Sequence, residues 1–394
     1  MNDSQQIRDK LQQLLQILGS QLIERESLVQ LIVLAMVARE HLLVLGPPGT
    51  AKSAAVRAVA KAFRGNYFEY ILGRFSEPSE LFGPIDLRKL KEGIVETETS
   101  RMLPEADIAF LDEVFLGSTA ILNTLLGILN ERRFKRGHTD MPCPLRICVA
   151  ASNALPDEPA LAAFADRFLV RIHVESLPDS ELEHLLQAGW IYASQPKQVL
   201  PEISLSELDL LSESVLKVNM TPIQGALAHC VRLLRKAGIL LSDRRLVKAQ
   251  SLIAASAVLN GVDCASEQDL WPLVYVVTTP QEQQQAREIL QLILQQSANS
   301  VLPQAVSLAS VGPLARAQTI QAKASRLLEN EPSTFDAQNL EAWTLKCEAL
   351  LREIDAGFFK EQLPSELAVL REKLAHSVGA TAEVQPPPPE QQSP

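Results

Sequence analysis

Two short stretches carry residue types whose spacing could do chemistry on a phosphate. The first is HLLVLGPPGTAKSAAV, residues 41–56, where Gly46, Lys52 and Ser53 fall at the fixed positions of a glycine-rich phosphate loop, G-x-x-x-x-G-K-[ST]. In that pattern backbone N–H groups of the loop converge on phosphate with the N-terminus of the following helix. The candidate contacts are Gly46, Pro48, Gly49, Thr50, Ala51, Lys52, Ser53 and Ala54, with Lys52 reaching the outer phosphates of ATP and Ser53 holding Mg2+. Ala51 departs from the pattern, because a glycine is usual there. A single methyl is compatible with a close phosphate if φ at that position is negative. Gly46, Lys52 and Ser53 alone would recur by chance about 0.2 times in a chain this long. Context must therefore separate a nucleotide loop from a tight turn without ligand.

The second stretch is ADIAFLDEVF, residues 106–115, a short apolar run ending in Asp112 and Glu113. Asp112 suits the magnesium side of a site, and Glu113 suits a base that orients and polarises an attacking water. A strand end carrying two solvated acids is the alternative. Both stretches gain weight together, since ligands of open parallel sheets bind at the carboxyl ends of strands.

The elements that would position these residues are legible from periodicity. Helical spacing of apolar residues covers 4–18 and 24–38, and short apolar runs at 42–45, 67–72, 107–111, 146–151 and 168–174 read as strands. Helical segments at 52–63, 118–131 and 158–165 separate most of these runs, so an α/β fold with a mainly parallel sheet and crossover helices is expected. Residues 85–99, with Gly93 between alternating residues, read as an inserted hairpin. The pattern then becomes helical only. The expected division is a nucleotide-binding core over 1–177, a helical domain over 178–280, a Gln- and Glu-rich helical region over 281–380 and a disordered Pro-rich tail over 381–394.

Composition narrows the function classes. A chain of 394 residues with 37 basic and 47 acidic side chains has a net charge of −10, which opposes a broad grip on nucleic acid or anionic membrane. No run of 18 apolar residues occurs and the start lacks an apolar signal core, which points to the cytoplasm. Five cysteines without CxxC spacing argue against a zinc site or a disulfide framework.

The blocks GPPGTAKS, FLDEVF, VAASNALP and AFADRFLVRIHV occur in the order expected of an AAA+ ATPase, and the chain resembles the MoxR branch of that family. Within it, FEYILGRFSEPSELFGPI, AILNTLLGILNERRFKRG and LSDRRLVKAQSLIAASA are similar to the RavA group. The resemblance spans about residues 5–275. It implies a P-loop NTPase with an AAA+ core, an α-helical lid and a C-terminal helical stalk. Alanine before the P-loop lysine is a common variant in this family, so Ala51 reads as a family trait.

Further site residues come from the resemblance. Asn153 matches sensor 1 and would help Glu113 position the water, the other reading being an Asn capping a turn before Leu155 and Pro156. Arg167 matches the arginine finger that a neighbouring subunit inserts, a contribution of roughly 10³ to 10⁵ in rate in related chemistry. An ion pair with Asp166 is its alternative, and Arg171 is a second candidate finger. Arg244 matches sensor 2, with Arg245 adjacent to it. Ile23 and Glu24 fall where the family forms its adenine pocket. The segments around Gly93 and from Phe134 to Pro144 resemble the helix-2 and pre-sensor-1 insertions, without an aromatic-glycine pore loop. The implied protein is a homo-hexameric ATPase that remodels a client complex with a von Willebrand factor A domain partner. A nucleic-acid motor and a nucleotide-gated scaffold with little turnover stay open as other classes.

Overall fold

The structure is a computed structural model that describes residues 2–22, 24–156, 158–176, 200–310 and 365–382, with scattered positions between 186 and 190 and between 324 and 354. Ile23, most of 311–364 and the Pro-rich residues 383–394 lie outside the described residues. The chain divides into two compact units, one of residues 1–176 with 192–310, the other of 177–191 with 311–394.

The first unit is built on a sheet of five parallel strands in the order β2-β3-β6-β1-β7. These are β1 Leu42–Leu45, β2 Tyr67–Ile71, β3 Ile108–Asp112, β6 Ile147–Ser152 and β7 Val170–His173; β4 Arg133–Arg136 and β5 Thr139–Pro142 form a separate antiparallel pair. The central strands are continuous apolar runs because both faces are covered. Leu42, Val44, Phe110, Val149 and Ile172 point into one core with α1 (Asn2–Gln21), α2 (Glu26–Val37) and α3 (Lys52–Ala62). Leu43, Leu45, Leu111 and Ala150 point into the other, against α6 (Thr119–Glu131) and Phe164 of α7 (Pro159–Ala165).

Helices Leu205–Val215, Gln224–Lys236 and Asp243–Asn260 pack on the first core, and so does the stretch from Pro280 to Ser310 through Ala286, Leu290, Ala305 and Val306. Trp271 is fully buried there, its indole N–H donating to Ser256 Oγ at 3.0 Å. In the second unit Trp343 anchors a small cluster with Cys347, Leu350, Ile354 and Leu374, and donates to the Leu327 carbonyl at 2.7 Å.

The expected hairpin over 85–99 is not formed. Asp86 accepts from the N–H groups of Arg88 and Lys89, capping a short helix α5, Leu87–Lys91, and the extended part reduces to one bridge between Ile85 and Thr97. Gly93, at φ 81, supplies the reversal after the helix. Alternation of apolar residues was ambiguous here, because Leu87 and Leu90 also sit at helical i, i+3 spacing.

Candidate functional site

The strand order puts three carboxyl ends side by side. β6 lies between β3 and β1, so Asn153, which follows β6, sits between the acids that close β3 and the loop that leaves β1. The loop begins where Gly46 N–H donates to the Ser152 carbonyl at 3.1 Å and Val174 N–H donates to the Leu45 carbonyl at 2.7 Å. A side chain at Gly46 is impossible without displacement, because a Cβ there would lie 2.0 Å from the Val174 carbonyl oxygen. Gly49 is the opposite case: it has φ 80 and no atom within 4 Å of where a Cβ would stand. Pro48, Gly49, Ala51 and Ala54 are exposed along the outer side of the loop.

Ala51 does not meet the condition set for it in the sequence. Its φ is 58 and ψ 22, in the left-handed region, so the backbone follows the path that a glycine would take without strain. For an L-residue that conformation costs about 1–2 kcal/mol. The methyl is exposed and does not fill the loop. Ala51 is also the N-cap of α3 and has no side-chain cap, and the first turn carries no acid. The leading N–H groups of α3 are thus left to an anion, in contrast to α6, where Ser118 caps Ile121 N–H.

Lys52 is 7% exposed and folds back so that Nζ donates to the carbonyls of Gly46 at 2.5 Å and Pro47 at 3.0 Å. Burial pushes its pKa down, while the charges of Asp112 and Glu113 act in the opposite direction. The two acids therefore face the lysine. Glu113 itself is left-handed, φ 50 and ψ 42, its N–H donating to Asp112 Oδ1 at 3.0 Å. Asn153 Nδ2 donates to Glu113 Oε1 at 3.0 Å, which holds the carboxylate in one orientation. Ser53 is half-buried in the first turn of α3. An ammonium, an uncapped helix start, a hydroxyl and two carboxylates converging at one sheet edge fit a magnesium-bound polyphosphate, since magnesium takes one or two protein ligands beside phosphate and water.

Sequence reasoning passed over Arg25. It is 7% exposed, and its guanidinium donates to three carbonyls: Thr50 at 2.8 Å, Glu24 at 2.6 Å and Glu175 at 2.9 Å. The available signal was a lone arginine directly before the apolar run of α2.

The arginines singled out in the sequence, Arg167, Arg171, Arg244 and Arg245, gather at the other edge of the sheet, where β7 begins. Arg245 is 2% exposed and entirely engaged, donating to the carbonyls of Phe168, Leu169 and Val276 and pairing with Asp166 at 3.3 Å. Arg244, one residue earlier, extends outward to Asn130 Oδ1 at 2.5 Å. Burial and the like charge of Arg167 push the Arg244 pKa down, which puts these two guanidinium groups near one another. Asp166 is taken by Arg245, and Arg167 Nε has no hydrogen-bond partner among the described residues. Arg171 is removed as a candidate finger, because it is 4% exposed and donates to the carbonyls of Thr278 and Ala165. Arg167 and Arg244 thus share the edge opposite their own phosphate loop.

Residues 9–213 match the family model described as the MoxR domain in the MoxR–vWA–β-propeller ternary systems, and residues 220–290 match an AAA lid domain. The chain is 39% identical over 267 residues to an uncharacterised protein of Methanocaldococcus jannaschii, covering 67% of this chain and 69% of that protein. It is 27% identical over 184 residues to the chaperone MoxR1 of Mycobacterium tuberculosis, covering 45% of this chain and 48% of that one. A crystal structure of a candidate ATPase from Cytophaga hutchinsonii superposes with a TM-score of 0.61 at 19% identity, covering 76% of this chain and 97% of that chain. That last likeness speaks for the fold.

Proposed function

The chain belongs to the MoxR family of AAA+ ATPases, and from that membership we propose that it binds ATP with magnesium, hydrolyses it, and uses the cycle to remodel a partner protein complex. The observation that carries this reading is the contact of Asn153 with Glu113 beside a buried Lys52, at the edge where β1, β3 and β6 end together. Lys52 and the N–H groups of the loop from Gly46 to Ala54 hold the phosphates, and Ser53 and Asp112 hold magnesium. The ion supplies charge stabilisation on the phosphates. Glu113, oriented by Asn153, takes the proton of the attacking water, and Ile23 borders the adenine.

Arg167, at the opposite sheet edge, acts on the nucleotide of a neighbouring subunit and Arg244 takes the role of sensor 2; the working unit is a ring, and the number six comes from the family resemblance. The core is assigned to 1–177 and the lid to 178–280, with lid packing that continues to Ser310. The helical region of 281–380 keeps its assignment as a stalk, and most of 311–364 together with 383–394 lies outside the described residues. The partner is a von Willebrand factor A domain protein; the description of the matching family model names such ternary systems. RavA-like character rests on three sequence blocks alone. The setting is the cytoplasm. Among the described residues no helix is long and apolar enough to cross a membrane.

Phosphate release from ATP is the direct test. Lys52→Ala should neither bind nor turn over ATP, whereas Glu113→Gln should bind it and lower turnover by about 10² or more. Turnover by Glu113→Gln at the wild-type rate would remove Glu113 from its role. A wild type that binds ATP without releasing phosphate would instead favour a nucleotide-gated scaffold.

A further inference from the structure

We propose that Arg25 is a positioning residue of the phosphate loop: by holding the Thr50 carbonyl it fixes the Thr50–Ala51 peptide, keeping Ala51 left-handed with its N–H turned to the ligand side. This rests on the nucleotide-binding reading above. In a planar trans peptide the C=O and the following N–H point to opposite sides. Arg25 lies beneath the loop at 7% exposure and draws the Thr50 oxygen inward at 2.8 Å, so the Ala51 N–H is directed outward, to the exposed side of the loop.

Two features make this more than a packing contact. The first is what the guanidinium touches. Its three acceptors are the carbonyls of Glu24, of Glu175 and of Thr50, the last inside the phosphate loop itself, one peptide before Ala51. Burial pushes the Arg25 pKa down, offset in part by the nearby charges of Glu24 and Glu26, so the guanidinium stays a charged donor to the loop carbonyl. The second is convergence on one strand exit. Val174 closes over Gly46 at the start of the loop, and Glu175, the next residue, is tied through Arg25 to Thr50 near its end. Both ends of the loop are therefore referred to residues 174–175. A glycine at position 51 would enter the left-handed region freely. Alanine requires a hold from outside, and Arg25 supplies it.

The test is a double-mutant cycle read by calorimetric affinity for ADP with Mg2+, in wild type, Arg25→Ala, Ala51→Gly and the double variant. Arg25→Ala should weaken binding about tenfold, equivalent to about 1.4 kcal/mol. In the Ala51→Gly background the same change should cost less than about threefold, because glycine no longer needs the hold. Equal losses in the two backgrounds would overturn the proposal and leave Arg25 a packing residue. If Arg25→Ala does not yield folded protein by circular dichroism, Arg25→Gln measured in both backgrounds carries the same comparison. Failure of the underlying reading looks different: wild type would not bind ADP, or Lys52→Ala would bind it equally well.

Discussion

Arg244 and Arg245 are adjacent in the chain, yet one guanidinium is spent on carbonyls of β7 and the lid while the other faces outward. Arg245→Ala would leave the Phe168, Leu169 and Val276 carbonyls without a donor in a closed site, and a loss of about 3–5 kcal/mol is expected in urea unfolding. Arg244→Ala should change stability by no more than about 0.5 kcal/mol. Its effect should be confined to ATP turnover. Sequence could pair these residues but not rank them, because the distinction lies in which side of the helix meets β7. Lys52, Asp112 and Glu113 were marked in the sequence because they close or follow apolar strands, whose exits are fixed by their hydrophobic runs, whereas Asn153 came from the family resemblance. The left-handed backbone of Ala51 was not legible, since the local residue types favour the opposite sign of φ and Arg25, distant in sequence, bonds to the peptide that follows Thr50.

At the scale of elements, the sheet's starting edge is locked by His41. Cys148 N–H can only donate, and it donates to His41 Nδ1 at 3.0 Å, while Nε2 lies 3.1 Å from the Leu129 carbonyl and 2.8 Å from Arg132 Nη1. Protonation would set a second N–H against Cys148 and add charge beside Arg132, whose Nη1 is 2.8 Å from the ring. Burial and Arg132 accordingly hold the His41 pKa well below the usual histidine value. His173 at the end of β7 is also pushed down, by burial first and then by Arg171, to about 4. Both groups bind protons more tightly unfolded than folded. Stability is thus complete above pH of about 6.5 and falls as pH drops, with each histidine adding a slope approaching about 1.4 kcal/mol per pH unit. For His173 the loss levels off near pH 4. Urea midpoints at pH 7, 6 and 5 should show the fall, and His173→Gln should make it shallower. The central strands were readable because burial on both faces leaves only apolar residues. The insert at 85–97 was not, because its shape depends on the β4–β5 turn: His138 N–H donates to the Val95 carbonyl at 2.8 Å and Thr97 N–H to Thr139 Oγ1 at 2.8 Å.

At the scale of the molecule, the ring proposed above places the phosphate loop of one chain against Arg167 of the next, so that each site would be completed by a neighbour. Arg167→Ala and Lys52→Ala should each be inactive, while an equimolar mixture should regain phosphate release, because some interfaces then join an intact loop to an intact arginine. Mixtures that stay as inactive as either parent would count against a shared site. The net charge of −10 further predicts no stimulation of turnover by DNA at moderate salt. The arginine pair also has a mechanical meaning. Successive residues on a helix are turned by about 100°, so anchoring Arg245 sets the bearing of Arg244 as a keyway sets the angle of a gear tooth. Rolling helix Asp243–Asn260 enough to retract the outward arginine would shear the bonds of its neighbour to Leu169 and Val276. Torque applied to that helix would therefore be passed on to the residues that open β7, without slack taken up in this joint.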